Sequence, residues 1–280
     1  MRMRALGFGE ILDEIFRFYR RNFWLLVLLS LVPALPTLLF QVASGQASQY
    51  GLVGSLIGSL VTSNTLSGPV PLPSINYAVL LAGYLVGLAL VPFSLGLVPR
   101  AALDLALGQP TGFQRAVRGT LRRYWGLFAL AILLGLVLLL SLTCLLIPLA
   151  LWILVRWAVA IPVLVNERVG PIAALSRSWY LTRASWWRTF GILAVALLIE
   201  YVASEAVSVI GLPIAFLIPF IPEIVRGTIV VTVSTLGAAL VNPIWQLCLV
   251  VIYFDLRVRK EHLDLWQLAD QANAAALGVA

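Results

Sequence analysis

The chain has 280 residues, 61% of them apolar and only 11% charged, with 19 Lys and Arg against 12 Asp and Glu for a formal net charge of +7. A charged share about half the usual one excludes an ordinary soluble domain. Cys144 and Cys248 lie in separate apolar runs with no second Cys or His nearby, so neither a disulfide framework nor a metal site is expected.

A spanning helix needs about 20 mostly apolar residues to cross roughly 30 Å of hydrocarbon, and helices are required because lipid offers no partner to backbone amides. Six such runs occur, at about 23–43, 75–99, 125–144, 147–165, 189–211 and 228–254. The expected fold is an all-α integral membrane protein forming a single domain over 1–280. Its six transmembrane helices pair as three hairpins, the middle one turning tightly at Pro148.

Ahead of the first run, segment 6–21 places Phe8, Ile11, Leu12, Ile15, Phe16 and Tyr19 on one face and Glu10, Asp13, Glu14, Arg17 and Arg21 on the other. That spacing predicts an amphipathic helix at the membrane interface. A small-residue site at Ala47 would suit signal cleavage, but the preceding segment is long and contains Glu10, Asp13 and Glu14, so the first run is read as a span. Gap 44–74 is rich in Gly, Ser and Pro; Leu52, Leu56 and Leu60 opposite Gly54 and Gly58 predict a short interfacial or re-entrant helix there.

Segment 111–123 repeats the interfacial pattern, with Thr111 as a cap, Phe113, Val117 and Leu121 on one side and Arg115, Arg118 and Arg122 on the other. Segment 170–183 does so again, opening on Pro171, with Ile172, Leu175 and Trp179 apolar and Arg177 and Arg183 polar. Each segment runs into a basic-aromatic junction: Arg20-Arg21-Asn22-Phe23-Trp24, Arg122-Arg123-Tyr124-Trp125 and Arg183-Ala184-Ser185-Trp186-Trp187. Arginine reaches for phosphate while Trp sits at headgroup level. Arg20, Arg21, Arg122, Arg123, Arg183 and Arg188 are therefore the candidates for lipid-headgroup contact. A threefold internal repeat and the general way helices enter a membrane both account for the pattern. The gap 211–224, with Pro213, Pro219 and Pro222, is expected as a rigid outer cap.

The positive charges alternate. Five lie before the first span, five in 100–124, four in 166–188 and three after residue 254, which makes 17; Arg226 lies in an outer gap and Arg156 within a span. Positively charged loops stay cytoplasmic, so both termini are expected inside a bacterial inner membrane. Anionic headgroups, rather than nucleic acid, are the expected partner of that charge. Any protein partner or self-association is left open.

Charge inside hydrocarbon costs about 2.5 kcal/mol or more per residue. Arg156 and Glu200 both count to mid-depth and are expected to pair between neighbouring spans, either pinning two helices or forming a polar site. Glu205 follows on the same helix as Glu200, and Asn242-Pro243 interrupts the last run one turn before Gln246. Arg156, Glu200, Glu205, Asn242 and Gln246 are the candidates for an intramembrane polar cavity. No nucleophile triad, zinc motif or phosphate-binding loop is present in the sequence, and no catalytic residue or cofactor is expected.

Three stretches carry a resemblance. The first is Val165-Asn166-Glu167-Arg168-Val169-Gly170-Pro171, followed by Ala174-Leu175-Ser176-Arg177-Ser178-Trp179 and Leu181-Thr182. The second is Asp255-Leu256-Arg257-Val258-Arg259-Lys260-Glu261 with Asp264-Leu265, and the third is Glu10-Ile11-Leu12-Asp13 ahead of the first junction. In this order they resemble the bacterial glycerophosphodiester phosphodiesterase membrane-domain family, although His262 stands where its tail motif would put glycine. The resemblance implies a six-helix membrane module, sometimes fused to a soluble phosphodiesterase domain, and marks Glu167, Gly170, Pro171, Arg177, Asp255, Arg257 and Arg259 as motif residues. It carries over no catalytic residue. As surface chemistry, Arg177 suits phosphate or the Glu167 carboxylate, and Asp255 suits an arginine from another cytoplasmic gap.

Three functions follow: a non-catalytic module that organises lipid or a partner protein, a transporter or channel using Arg156, Glu200 and Asn242, and a lipid phosphodiester hydrolase suggested by the family name alone. The first is the expectation taken forward.

Overall fold

The computed structural model describes residues 7–44, 76–141, 143–217 and 222–261. These residues are all-helical, with no strand among them. In chain order the helices are α1 (Phe8–Arg21), α2 (Phe23–Ala43), α3 (Tyr77–Ala106), α4 (Phe113–Leu121), α5 (Tyr124–Leu140), a 3-10 turn (Cys144–Leu146), α6 (Ile147–Arg156), α7 (Ala160–Asn166), α8 (Pro171–Thr182), α9 (Trp186–Leu217) and α10 (Glu223–Glu261). Five segments are long and apolar enough to cross a membrane: Phe23–Ala43, Tyr77–Ala106, Ile147–Asn166, Trp186–Val207 and Val225–Glu261. A sixth is reached if α4 and α5, bent by 70°, count as one span. By length and composition the chain is that of a multi-pass membrane protein.

Helix boundaries follow local chemistry. Gly7 opens α1, its N–H bonded to Glu10 Oε2 at 2.8 Å, and the Asn22 side-chain amide closes it on Phe18 O at 3.0 Å. Pro148 lies in the first turn of α6, where a missing N–H costs nothing. The third expected run ends at Leu140 rather than 144 and gives way to the 3-10 turn. Much of the expected outer cap is helical, because α9 continues to Leu217. The short helix expected in 44–74 and the motif residues beyond Glu261 lie outside the described residues. At 39 residues, α10 extends for about 58 Å. A bilayer core of roughly 30 Å cannot hold all of it, so part of α10 extends beyond the hydrocarbon.

Close contacts divide the chain into two compact units. One comprises Met1–Leu26, Pro92–Leu197 and Pro243–Ala280, and the other Val27–Val91 and Leu198–Asn242. Two of the boundaries fall at Pro92 and Pro243, prolines inside helices, each of which removes one intrahelical hydrogen bond.

In the first unit the C-terminal half of α3 is buried from Gly96 to Pro99 and again from Ala101 to Asp104. Gly96 makes this packing possible: a Cβ there would stand 2.6 Å from Leu127 Cδ1 and 2.7 Å from Thr120 Cγ2. In the second unit, Gly83 lets α3 approach Phe40 of α2 and Gly237 lets α10 approach Val207 of α9, the small-residue packing that membrane helices rely on. Outward-facing leucines such as Leu39, Leu81, Leu139 and Leu198 are exposed, as befits a surface solvated by lipid. Gly96→Ala forces Leu127 and Thr120 to move and should cost about 1–3 kcal/mol of unfolding free energy. Denaturation of the purified protein checks this, and unchanged stability would contradict the close approach.

Candidate functional site

The chemistry-bearing residues gather in the first unit, around a break in the fourth apolar run. Pro162 has no N–H to give the carbonyl of Ala158, and regular helix lapses between α6 and α7. The Ala160 N–H bonds Trp157 O at 3.0 Å instead of the Arg156 carbonyl it would reach in an unbroken helix. That carbonyl accepts from Ser178 Oγ at 2.8 Å and from Thr182 Oγ1 at 3.2 Å. Both hydroxyl residues are fully buried and stand one turn apart on α8. The break in the span thus creates the acceptor that fastens α8 to it.

The Arg156 side chain faces the same way. Its guanidinium carbon lies 5.2 Å from the ring centre of Trp152 and 5.1 Å from that of Trp179. The two rings meet edge to face at 4.9 Å. Nε and Nη1 are buried without a hydrogen-bond partner, so the attraction of the aromatic faces for the cation is what offsets its burial. Counting residues from the outer end put Arg156 at mid-depth, in an ion pair with Glu200. Within the first unit its ring neighbours are the α8 tryptophan and the Trp one turn earlier on α6.

Around the α7–α8 turn lies a closed ring of charge. Glu167 Oε2 accepts from Arg177 Nε at 3.0 Å, and Glu167 Oε1 accepts from the Tyr253 hydroxyl at 3.0 Å. The hydroxyl itself accepts from Asn166 Nδ2 at 2.8 Å and from Arg257 Nη1 at 3.1 Å. Arg257 Nε reaches Glu261 Oε2 at 2.9 Å, and the second oxygen of Glu261 takes Arg177 Nη2, which closes the ring. Burial works against the charge on Arg177, but the hydrogen bonds and charges of Glu167 and Glu261 outweigh it and hold its pKa above the ordinary arginine value. Two carboxylates and two guanidiniums therefore alternate around Tyr253.

A second knot completes the fastening. Asp255, 2% exposed, pairs with Arg188 at the start of α9 and with Arg259 Nε at 3.1 Å. Lys260 bonds the Tyr180 carbonyl and lies over its ring at 4.7 Å. The turn itself is shaped by Arg168, in the left-handed region at φ 55°, whose carbonyl accepts from Arg123 Nη2 at 3.1 Å. Gly170 caps α8 and Pro171 opens it. All seven motif residues thus belong to one assembly joining α7, α8, α9 and α10.

The six expected headgroup arginines separate into two kinds. Arg20, Arg21, Arg122 and Arg183 are exposed, whereas Arg123 and Arg188 are committed to the contacts just described. The intramembrane candidates divide as well: Arg156 and Gln246 belong to the first unit, and Glu200, Glu205 and Asn242 to the second. Gln246 Nε2 donates to Ser94 O at 2.9 Å. Glu200 is partly buried and Glu205 exposed; five residues apart on one helix, they point about 140° away from each other. No cluster of three metal-ligating residues occurs among the described residues.

The site is that of an all-helical, multi-pass type of protein with a charge-locked helical turn. Compared with protein-family models, with curated proteins and with solved structures, the chain matches none.

Sequence reasoning missed the Ser178–Thr182 bolt and the Tyr253 hub. The first had a signal, hydroxyls at i and i+4 opposite a run containing proline. Ser178→Ala combined with Thr182→Val leaves the Arg156 carbonyl unsatisfied and should cost about 1–3 kcal/mol. Ser176→Ala, on the exposed side of α8, should stay within about 0.5 kcal/mol of the parent. Equal stability of the double variant and the parent in a denaturant titration would refute the bolt.

Proposed function

We propose that this protein is a non-catalytic module of a bacterial cytoplasmic membrane that gathers anionic lipid around its cytoplasmic rim. In this reading it has six spans in three hairpins and both termini inside. Helices α1, α4 and α8 lie as amphipathic segments along the inner interface, as the spacing of their apolar and charged residues suggests.

The observation that carries the reading is a threefold one. Helices α2, α5 and α9 each begin with an outward tryptophan, Trp24, Trp125 and Trp187, exposed by 82%, 77% and 78%. Each is held edge-on by the aromatic residue before it, with ring centres 5.3, 5.3 and 4.7 Å apart. Exposed arginines precede each one: Arg20 and Arg21, Arg122, and Arg183. Indole at the headgroup level with guanidinium reaching for phosphate sets the depth of a helix, and each basic residue near an anionic surface adds about 1 kcal/mol. The carboxylates Glu167, Asp255 and Glu261 are meanwhile neutralised by arginines of the protein itself. They therefore do not repel anionic lipid.

The protein is assembled into nanodiscs of mixed phosphatidylglycerol and phosphatidylcholine and the lipid it retains on release is weighed by native mass spectrometry. Phosphatidylglycerol should be enriched over its bulk share, and substitution of Arg20, Arg21 and Arg183 by Gln should remove the enrichment while the protein stays folded. Retention in bulk proportion would overturn the proposal. Solute flux through reconstituted vesicles, lost on Glu200→Gln, would establish transport in its place.

A further inference from the structure

The lipid-gathering reading leaves one feature of the first unit unused, a cavity between the C-terminal end of α3 and the start of α4. It measures about 810 Å³, and its wall includes Arg100, Arg115, Arg118, Arg122, Thr111 and Gly119. Ligand cavities typically measure about 300–1,000 Å³, so the space exceeds what a lone phosphate group needs. Three of the arginines follow one another at i, i+3 and i+7 along α4, which turns them to a common side. The fourth comes from α3, and Gly119 lets it in: a Cβ there would stand 3.1 Å from Arg100 Nε and 3.2 Å from its Cγ and Cδ.

The charges are unevenly compensated. Arg100 pairs with Asp104 at 2.9 Å, and Arg115 bonds the Pro110 carbonyl. Among the described residues, the side chains of Arg118 and Arg122 have no ion pair or hydrogen bond, and none that lines the space is acidic. Thr111 Oγ1 is buried in the wall with its hydrogen-bonding capacity unmet. Four guanidiniums around one cavity repel each other, and an anion of matching charge relieves that repulsion. Planar guanidinium forks suit phosphate oxygens in paired hydrogen bonds.

We infer that this cavity binds a ligand carrying two or more phosphate charges, gripped by Arg115, Arg118 and Arg122 with the Thr111 hydroxyl as an added donor. A phosphomonoester lipid headgroup and a soluble diphosphate share that chemistry. The inference goes beyond lipid gathering at the rim and shares only Arg122 with it, since Arg20, Arg21 and Arg183 take no part in the cavity.

The test uses the full chain in phosphatidylcholine nanodiscs, titrated calorimetrically with inorganic pyrophosphate. Saturable binding is expected, weakened about tenfold or more by Arg118→Gln with Arg122→Gln, the loss of at least one charge-assisted contact. Both side chains are exposed, so the variant keeps its fold. Arg118→Lys with Arg122→Lys keeps the charge but not the fork and should fall between the two. In a second arm the discs contain phosphatidic acid. If that lipid suppresses pyrophosphate binding, or is retained by the parent and not by the Gln variant, the occupant is a headgroup. If pyrophosphate binding is unaffected by it, the occupant is a soluble anion. Pyrophosphate affinity and phosphatidic acid retention that are both the same in parent and Gln variant would overturn the site, including the case in which neither binds. Loss of lipid enrichment in the variant of Arg20, Arg21 and Arg183 would not touch this result.

Discussion

The first unit depends on the alternation of charge around Tyr253. A guanidinium buried alone or a carboxylate buried alone costs several kcal/mol, whereas each offsets the other's desolvation when they alternate in hydrogen-bonding geometry. Glu167 and Glu261 each take two cationic partners, with Arg177 shared between them. Helix α10 therefore cannot shift along its axis without parting from the α7–α8 turn. The order of the chain near this ring, including the left-handed Arg168 and the capping Gly170, serves to bring Glu167 and Arg177 to face the last turns of α10.

A broken span supplies the other half of the fastening. In an unbroken helix the Arg156 carbonyl would bond four residues on and offer a neighbour only its second lone pair. With Pro162 ahead of it, the run lapses, the carbonyl is released and two hydroxyls of α8 take it. The same lapse turns the Arg156 guanidinium toward Trp179. One irregularity in one helix thus positions both a main-chain acceptor and a side-chain cation against α8.

Much of this was legible in the residues, and the reason is periodicity. The apolar runs near 23–43 and 189–211 and the face patterns of 6–21, 111–123 and 170–183 correspond to helices with nearby bounds, because helical faces depend on neighbours three and four residues apart. The Glu167–Arg177 contact is similarly local. The remainder lies beyond a local pattern. Tyr253 reads as one more apolar residue of the last run, and its bonds to Asn166 and Glu167 join positions 87 and 86 apart. The contact of Arg156 with Trp179 joins positions 23 apart on two different helices. The arginines of α4 stood out as a polar face, but the cavity they line also needs Arg100 and the bare Cα of Gly119, which no spacing rule brings together.

The central claim is that the charges around Tyr253 lock α8 to α10 rather than acting as independent solvated side chains. A double-mutant cycle across Arg177→Gln and Glu261→Gln, read from unfolding free energies in detergent, tests it most directly. The account predicts that the double variant loses less stability than the two single variants combined, by about 1 kcal/mol or more of coupling. Losses that simply add would show that the two side chains ignore each other, and the lock would not exist.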